Sequence, residues 1–340
     1  MAPNNRRLVL AQRPEGMVTT DDFRLEPGPV PEPGPGEAIV RVQYLSIDPT
    51  LRTWMDDAPG YLPPIEIDSV VRCGGVGQVV ASNSERYNVG DTVFAMLGWQ
   101  DYAVIDEEAT TGQVIPAGIE PTSALSVFGV TGMTAYFGLL DVGRPNEGDT
   151  VVVSGAAGAT GSVVGQIAKI KGAANVVGIA GTDEKCAWLV DELGFDAAVN
   201  YKTDDVAGRL RELCPTGIDV FFDNVGGEIL DICLARLALR GRIVLCGAIS
   251  SYNEGRGVTG PANYRNLIVK RGRMEGFLVL DYLNRFAEGQ AEMFGWVLDG
   301  KVKHAEHIVE GLENAPDALN LLFTGGNTGK VIVAVEEQPV

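Results

Sequence analysis

The rhythm of apolar and polar positions changes about a third of the way along the chain. Up to about residue 127, apolar residues fall in short runs at 7–11, 38–44, 76–81, 92–95 and 102–105. Turns rich in proline and glycine separate them, among them Pro27-Gly-Pro-Val-Pro-Glu-Pro-Gly-Pro-Gly36. The pattern predicts short strands at a density that fits a barrel-like β domain, with the proline-rich stretch a stiff connection. From about 128, strand patterns alternate with stretches of helical spacing, which implies a parallel sheet covered on both faces. Six strands are predicted, at 151–153, 175–180, 197–201, 218–223, 242–247 and 274–279, with Thr182 capping a helix that carries Trp188, Leu189 and Leu193. The tail from about 303 offers a helix at 315–323 and a strand at 331–335, too little for a domain. It is expected to return to the N-terminal part, giving one domain of residues 1–127 and 303–340 and a second of 128–302. The expected fold class is α/β, a Rossmann doubly wound parallel sheet beside a β-rich domain.

The second domain opens on Val151, Val152 and Val153, a β-branched run typical of a strand buried on both faces. Gly155, Ala156, Ala157, Gly158, Ala159, Thr160 and Gly161 follow, and then Val163, Val164, Ile167, Ala168 and Ile170 at helical spacing until Gly172. Strand, glycine turn and helix in this order form the context of a dinucleotide site, where small residues let backbone N–H groups and a helix N-terminus reach a pyrophosphate. Ala156 stands where G-x-G-x-x-G has its first glycine. A bare glycine pattern also serves as a tight turn; the flanking strand and helix favour the nucleotide.

Charge and composition narrow the partners. The 340 residues carry 27 Lys and Arg against 45 Asp and Glu, a net −18, which argues against nucleic acid and anionic membranes. No run reaches the roughly 20 apolar residues of a membrane span. The N-terminal stretch is too short in apolar residues for a secretory signal, so a cytoplasmic location is the default expectation. Cys73, Cys186, Cys214, Cys233 and Cys246 are scattered, with no C-x-x-C pair, which speaks against a disulfide framework or a cysteine zinc cage. His304 and His307 could share a helix face and bind metal, but without an H-E-x-x-H partner motif they read as surface residues.

Coenzyme choice is made near the end of the second Rossmann strand, where NAD-selective sites place an acid on the ribose hydroxyl. Here the strand ends in Gly178-Ile-Ala-Gly181 and Lys185 follows, a cation suited to a 2′-phosphate. Asp183 and Glu184 weigh the other way, although both suit the first turn of a helix. Lys185 could equally be a solvated helix charge. The balance favours NADP(H).

Several segments together resemble one family. They are Gly155-Ala-Ala-Gly-Ala-Thr-Gly-Ser162, Gly178-Ile-Ala-Gly-Thr-Asp-Glu-Lys-Cys186, Phe222-Asp-Asn-Val-Gly-Gly227, Leu245-Cys-Gly-Ala-Ile-Ser250, Met274-Glu-Gly-Phe277 and Glu310-Gly-Leu-Glu-Asn-Ala-Pro316. The set is similar to the zinc-independent medium-chain dehydrogenase/reductases of the prostaglandin reductase, alkenal double-bond reductase and curcumin reductase group. Leu45-Ser-Ile-Asp-Pro-Thr-Leu-Arg52 resembles the group's N-terminal signature, departing at Thr50 (usually Tyr) and Leu51 (usually Met). The resemblance implies a discontinuous GroES-like β-barrel catalytic domain, a homodimer joined through the Rossmann domain, and NADPH-dependent reduction of a carbon–carbon double bond conjugated to a carbonyl. On its own the sequence lacks the G-H-E segment and the closely spaced cysteine quartet of zinc alcohol dehydrogenases, so no metal site is expected. Hydride addition to an enone needs only hydrogen-bond donors at the developing enolate.

Residue by residue, the resemblance implies that Tyr252 is the donor beside the substrate carbonyl and that Tyr61 lines the substrate pocket. It also implies that Gly181, Lys185 and Tyr201 face the 2′-phosphate, that Asn224 and Cys246 border the ribose and nicotinamide, that Asn327 reaches the carboxamide, and that Thr131 lies near the nicotinamide phosphate. Tyr252 and Tyr61 could instead be packing aromatics, and Cys246 a buried inert thiol. Asp48 and Asp223 read as structural caps. A quinone reductase and a non-catalytic NADP-binding protein stand as alternatives.

Overall fold

β1 (Asn4–Leu10) and β2 (Phe23–Pro29) form a two-stranded antiparallel ribbon, with Leu8 opposite Leu25. The structure, a computed structural model, describes residues 4–109, 111–254 and 259–335. β2 absorbs the start of the proline-rich stretch expected to be a connection: a ribbon leaves Pro27 and Pro29 positions where a missing N–H costs no ladder bond. Next come β3 (Glu37–Ser46), α1 (Thr50–Trp54), β4 (Gly74–Ser82), β5 (Thr92–Met96), β6 (Tyr102–Asp106), the short β7 (Gln113–Val114) and α2 (Pro121–Leu125). Each strand read from alternation is present.

The second set of elements begins with α3 (Val130–Phe137) and β8 (Thr150–Ser154), followed by α4 (Ala159–Ile170), β9 (Asn175–Ala180), α5 (Asp183–Ala187) and β10 (Ala197–Asn200). Then come α6 (Val206–Leu213), β11 (Ile218–Asp223), α7 (Gly227–Ala235), β12 (Leu237–Leu245), α8 (Asn266–Lys270), β13 (Arg273–Gly276) and α9 (Phe286–Leu298). Its six strands lie parallel in the order β10-β9-β8-β11-β12-β13, so the chain reverses its winding beside β8. Every residue of β8 is buried, as its valine run requires. Thr182 caps α5 through its hydroxyl, which accepts from the Lys185 amide at 3.2 Å. Gly172, at φ +84°, closes α4. β12 begins five residues before the expected start, because Arg240 at φ +63° turns the strand before its regular part.

The tail supplies β14 (Glu306–Glu310), α10 (Ala315–Thr324) and β15 (Lys330–Ala334). β15 pairs antiparallel with β3, and the sheet runs β14-β15-β3-β4-β5-β7, with β6 also on β3. β14 carries His307 and follows His304, so the two histidines share no helix face. Two compact units result, Met1–Leu125 with Glu306–Val340 and Ser126–Ala305. No helix among the described residues is long and apolar enough to cross a membrane.

Within the first unit, Lys330 is 1% exposed and its ammonium donates to the Ile47 and Val331 carbonyls and, at 3.1 Å, to Asp48. Ser46 donates to the other Asp48 oxygen at 2.5 Å. Arg52 is equally buried, bound to the Gly16 and Pro14 carbonyls and Asp56. The signature segment 45–52 thus anchors two buried cations, its own Arg52 and Lys330 of the tail, whose donors are met by backbone carbonyls and by Asp56 and Asp48, the condition under which such charges are tolerated.

Candidate active site

At the carboxyl end of β8 the backbone of Gly155 turns left-handed, φ +56°, a region that favours glycine. The Ala156 amide returns to the Ile179 carbonyl of β9 at 3.0 Å, and the Gly158 amide closes on the Gly155 carbonyl at 3.0 Å. A methyl on Gly161 would come within 2.4 Å of the Gly155 carbonyl oxygen, so α4 can sit this close to the turn only without a side chain there. The departure at Ala156 has a packing explanation. Its side chain is fully buried, and a methyl on Gly178 of the neighbouring strand would lie 3.0 Å from it. The glycine absent at 156 is made up at 178.

Gly158 is the N-cap of α4 and brings no side chain to the first-turn amides. Their donors, aligned with the positive end of a 12-residue helix, suit a pyrophosphate. The adjoining helix α3 places Thr131 beside them: its hydroxyl donates to the Ser126 carbonyl, and its own carbonyl accepts from Thr160 at 3.4 Å.

The ends of β9 and β10 gather a second group. Tyr201 packs on Gly181, where a methyl would meet its ring at 3.0 Å. Burial, and then the charge of Lys202, hold the Lys185 ammonium below the usual lysine range. Lys202 lies 5.9 Å from the Tyr201 ring and was not singled out by the sequence. Two neighbouring cations next to a phenol, with the Lys185 ammonium held down by burial and by the charge of Lys202, fit a dianionic phosphate. The competing acid is turned away, since Asp183 accepts from the Asn200 side chain at 2.7 Å. A cavity of about 360 Å³ adjoins, lined in part by Tyr201, Val206 and Ile229.

At the end of β11, Asp223 is fully buried and accepts from the Ser154 hydroxyl at 2.8 Å and from the Val225 and Gly226 amides. It is a structural cap; burial raises its pKa, and these three donors oppose the shift. Asn224 is fixed alongside, its side chain donating to the Ser154 carbonyl at 2.7 Å. After β12 the Cys246 and Gly247 amides return to the Asp223 carbonyl. Burial, and then Asp223, push the Cys246 thiol up to about 12, which describes an inert thiol. Tyr252 folds back over this loop, its hydroxyl accepting from the Ala248 amide at 3.1 Å. Beyond Tyr252 the chain runs on into residues 255–258, which lie outside the described residues.

The second unit thereby brings together Thr131, the turn 155–161, Gly181, Lys185, Tyr201, Asn224, Cys246 and Tyr252 at the carboxyl ends of its strands. Tyr61 and Asn327 belong to the first unit. Tyr61 is 45% exposed, shares a 2.6 Å hydrogen bond with Thr50, and meets the Trp54 ring edge-on at 6.1 Å, with Arg72 over that ring at 5.0 Å. Burial of its hydroxyl end raises its pKa. The Asn327 amide is buried in its own turn, donating to the Gly329 carbonyl at 2.9 Å. Among the described residues no group of three or more His, Cys, Asp or Glu could hold a metal ion.

Two family models match the chain: the N-terminal domain of oxidoreductase over residues 6–112, and zinc-binding dehydrogenase over residues 159–294. The chain is 43% identical to the NADPH-dependent curcumin reductase of Escherichia coli, over 97% of each chain. It is 38% identical to the NADP(+)-dependent 2-alkenal reductase of Nicotiana tabacum, over 98% of each. The crystal structure of CurA from Vibrio vulnificus in complex with NADPH is similar over 98% of this chain and 100% of that one, at 45% identity and a TM-score of 0.92. With relatives this close along nearly its whole length, the chain belongs to the zinc-independent medium-chain dehydrogenase/reductase family, in the group of curcumin, alkenal and prostaglandin reductases.

Proposed function

We propose that this chain is an NADPH-dependent reductase of the carbon–carbon double bond in α,β-unsaturated ketones and aldehydes, working without a metal. The observation that carries the coenzyme half is the pairing of an uncapped glycine turn with the Lys185, Lys202 and Tyr201 cluster, one built for a pyrophosphate and the other for a 2′-phosphate. The relatives named above carry the substrate half. The first-turn amides of α4 hold the diphosphate with Thr131 beside it, Asn224 borders the ribose and nicotinamide, and Lys185 with Lys202 select the phosphorylated ribose. When bound, NADPH supplies the hydride delivered to the β-carbon of the substrate.

Tyr252 is the donor for the carbonyl oxygen. Its oxygen accepts one amide hydrogen from Ala248, which orients the phenol, and a phenol keeps its own proton at neutral pH. A hydrogen bond aimed at the oxygen that gains charge favours the enolate over the ground-state carbonyl. Tyr61, with its Thr50 partner, is the substrate-contacting residue of the first unit. A homodimer through the nucleotide unit and a cytoplasmic location belong to the same reading.

The test follows NADPH absorbance with a simple enone, with a benzoquinone and with neither. Oxidation with the enone is expected. Oxidation with the quinone alone would make the chain a quinone reductase, and tight NADPH binding with no oxidation a non-catalytic binder. Tyr252→Phe is expected to lower turnover about 10²-fold while leaving NADPH affinity unchanged; full turnover would reduce Tyr252 to packing.

A further inference from the structure

At the opposite end of the parallel sheet, five arginines share one open cavity. Arg144, Arg240, Arg242, Arg271 and Arg273, with Asn146, line a space of about 510 Å³. Arg242 and Arg273 are register partners on β12 and β13, and Arg242 also pairs with Val220, itself opposite Val151 at the start of β8. Val151 lies near the start of β8 and Gly155 just past its end, four residues on and about 13 Å away at a strand's rise. This cavity is therefore separate from the glycine turn.

Three features show more than a solvated basic patch. The first is backbone conformation: Arg144, Arg240 and Arg271 have φ of +48°, +63° and +51°, three of the four non-glycine residues in this region among those described. Arg144 and Arg271 occupy left-handed helix C-caps, positions that glycine fills without strain. Strain repeated at one cavity, each time by the same residue type, is the pattern of a ligand clamp.

The second is charge. In a chain of net −18, the cavity's five cations have two carboxylate partners, Asp149 on Arg242 and Glu275 at 3.7 Å from Arg273. Among the described residues, no carboxylate pairs with Arg144, Arg240 or Arg271. Arg144 donates to the Asp141 carbonyl, and Arg271 to the Val269 carbonyl. The third is hydrogen bonding: the Nε atom of Arg242 is buried and makes no hydrogen bond, and that of Arg273 has only the Glu275 carboxylate at 3.7 Å, beyond hydrogen-bond distance. Buried donors in that state call for an acceptor.

We propose that this cavity is a second ligand site, for a small free anion bearing two or more phosphate groups. Guanidinium forks match phosphate oxygens two at a time, and five of them around one space exceed what a single carboxylate can satisfy. The space is open to solvent and lined by arginines and one asparagine, which suits a hydrated polyanion and not an apolar ligand. The inference is independent of the coenzyme reading.

The test is calorimetric titration of the full-length protein with inorganic pyrophosphate, carried out in saturating NADP⁺ so that the glycine turn is blocked. One-to-one binding that weakens with added salt is expected. Arg144→Gly and Arg271→Gly should each reduce affinity about tenfold or more. Neither should lower the melting temperature, because glycine suits both backbones. Arg271→Lys, which keeps the charge and loses the fork, should fall between. Absence of binding, or affinity unchanged in both glycine variants, would overturn the proposal. So would pyrophosphate binding confined to the NADP-free protein, equal binding of citrate, or arginine variants that alter only the oligomeric state.

Discussion

The two ends of the parallel sheet present groups suited to anions by opposite means. At the carboxyl ends, backbone amides of one continuous segment, 154–161, are presented by removing side chains: Gly155 turns, Gly158 caps and Gly161 lets the helix close in. At the amino ends, long side chains from three separate segments converge on a cavity, and three of the arginines hold a left-handed backbone at a cost that glycine would avoid. The first end depends on the absence of Cβ atoms. The second depends on guanidinium groups brought together only by folding. A substitution that adds bulk should harm the first end, whereas one that removes it should harm binding at the second yet spare stability.

The largest effect is expected from Gly161→Ala. The added methyl meets the Gly155 carbonyl oxygen and Ala156 at 2.4–2.8 Å, so the turn must open. NADPH affinity should fall about 10²-fold by fluorescence titration, with a loss of roughly 1–3 kcal/mol in denaturant unfolding. Retained affinity would show that the close approach of α4 is not what holds the diphosphate. Lys185→Ala should weaken NADPH about tenfold and leave NADH unchanged; an equal effect on both would remove Lys185 from the 2′-phosphate. The same site should show a pH dependence. Burial and Lys202 hold the Lys185 pKa below its ordinary 10.5, and a bound phosphate raises it. The preference for NADPH over NADH should therefore decline as pH rises, starting below the ordinary lysine range.

At the other end, Arg144→Gly should raise unfolding free energy by roughly 0.5–1 kcal/mol, because relief of left-handed strain outweighs the chain entropy glycine adds. A drop in stability would contradict the assignment of strain. The smallest effect concerns Asp223. Its carboxyl titrates above 3.8 in the native state, so the folded protein holds that proton more tightly than the unfolded chain does. Its contribution to stability is fullest below 3.8 and falls as pH rises through the raised native value. Asp223→Asn should flatten that slope in unfolding curves measured across mildly acidic pH.

The same contrast explains what the sequence made legible. β9 and β11 were readable to the residue, because buried parallel strands are nearly continuous apolar runs with sharp ends. The glycine turn was readable because its parts are contiguous. β2 was hidden by its prolines, which only an edge pairing could accommodate. β14 was hidden because an edge strand of partly exposed residues leaves no apolar run, and its histidine suggested another geometry. Lys202 carried no signal, since its relation to Lys185 arises from two strands lying side by side. The arginines fall in three distant places, at 144, at 240 and 242, and at 271 and 273, and neither their convergence nor their φ angles exist before folding. Asp48 was readable as structural from its turn; its partner Lys330 lies 282 residues away and was not.

The central claim is the site of hydride delivery. NADPH deuterated at the transferable position, incubated with the protein and a simple enone, should yield the saturated ketone with deuterium on the β-carbon. Deuterium on the carbonyl carbon of an allylic alcohol, or no labelled product from a protein that binds NADPH, would contradict it.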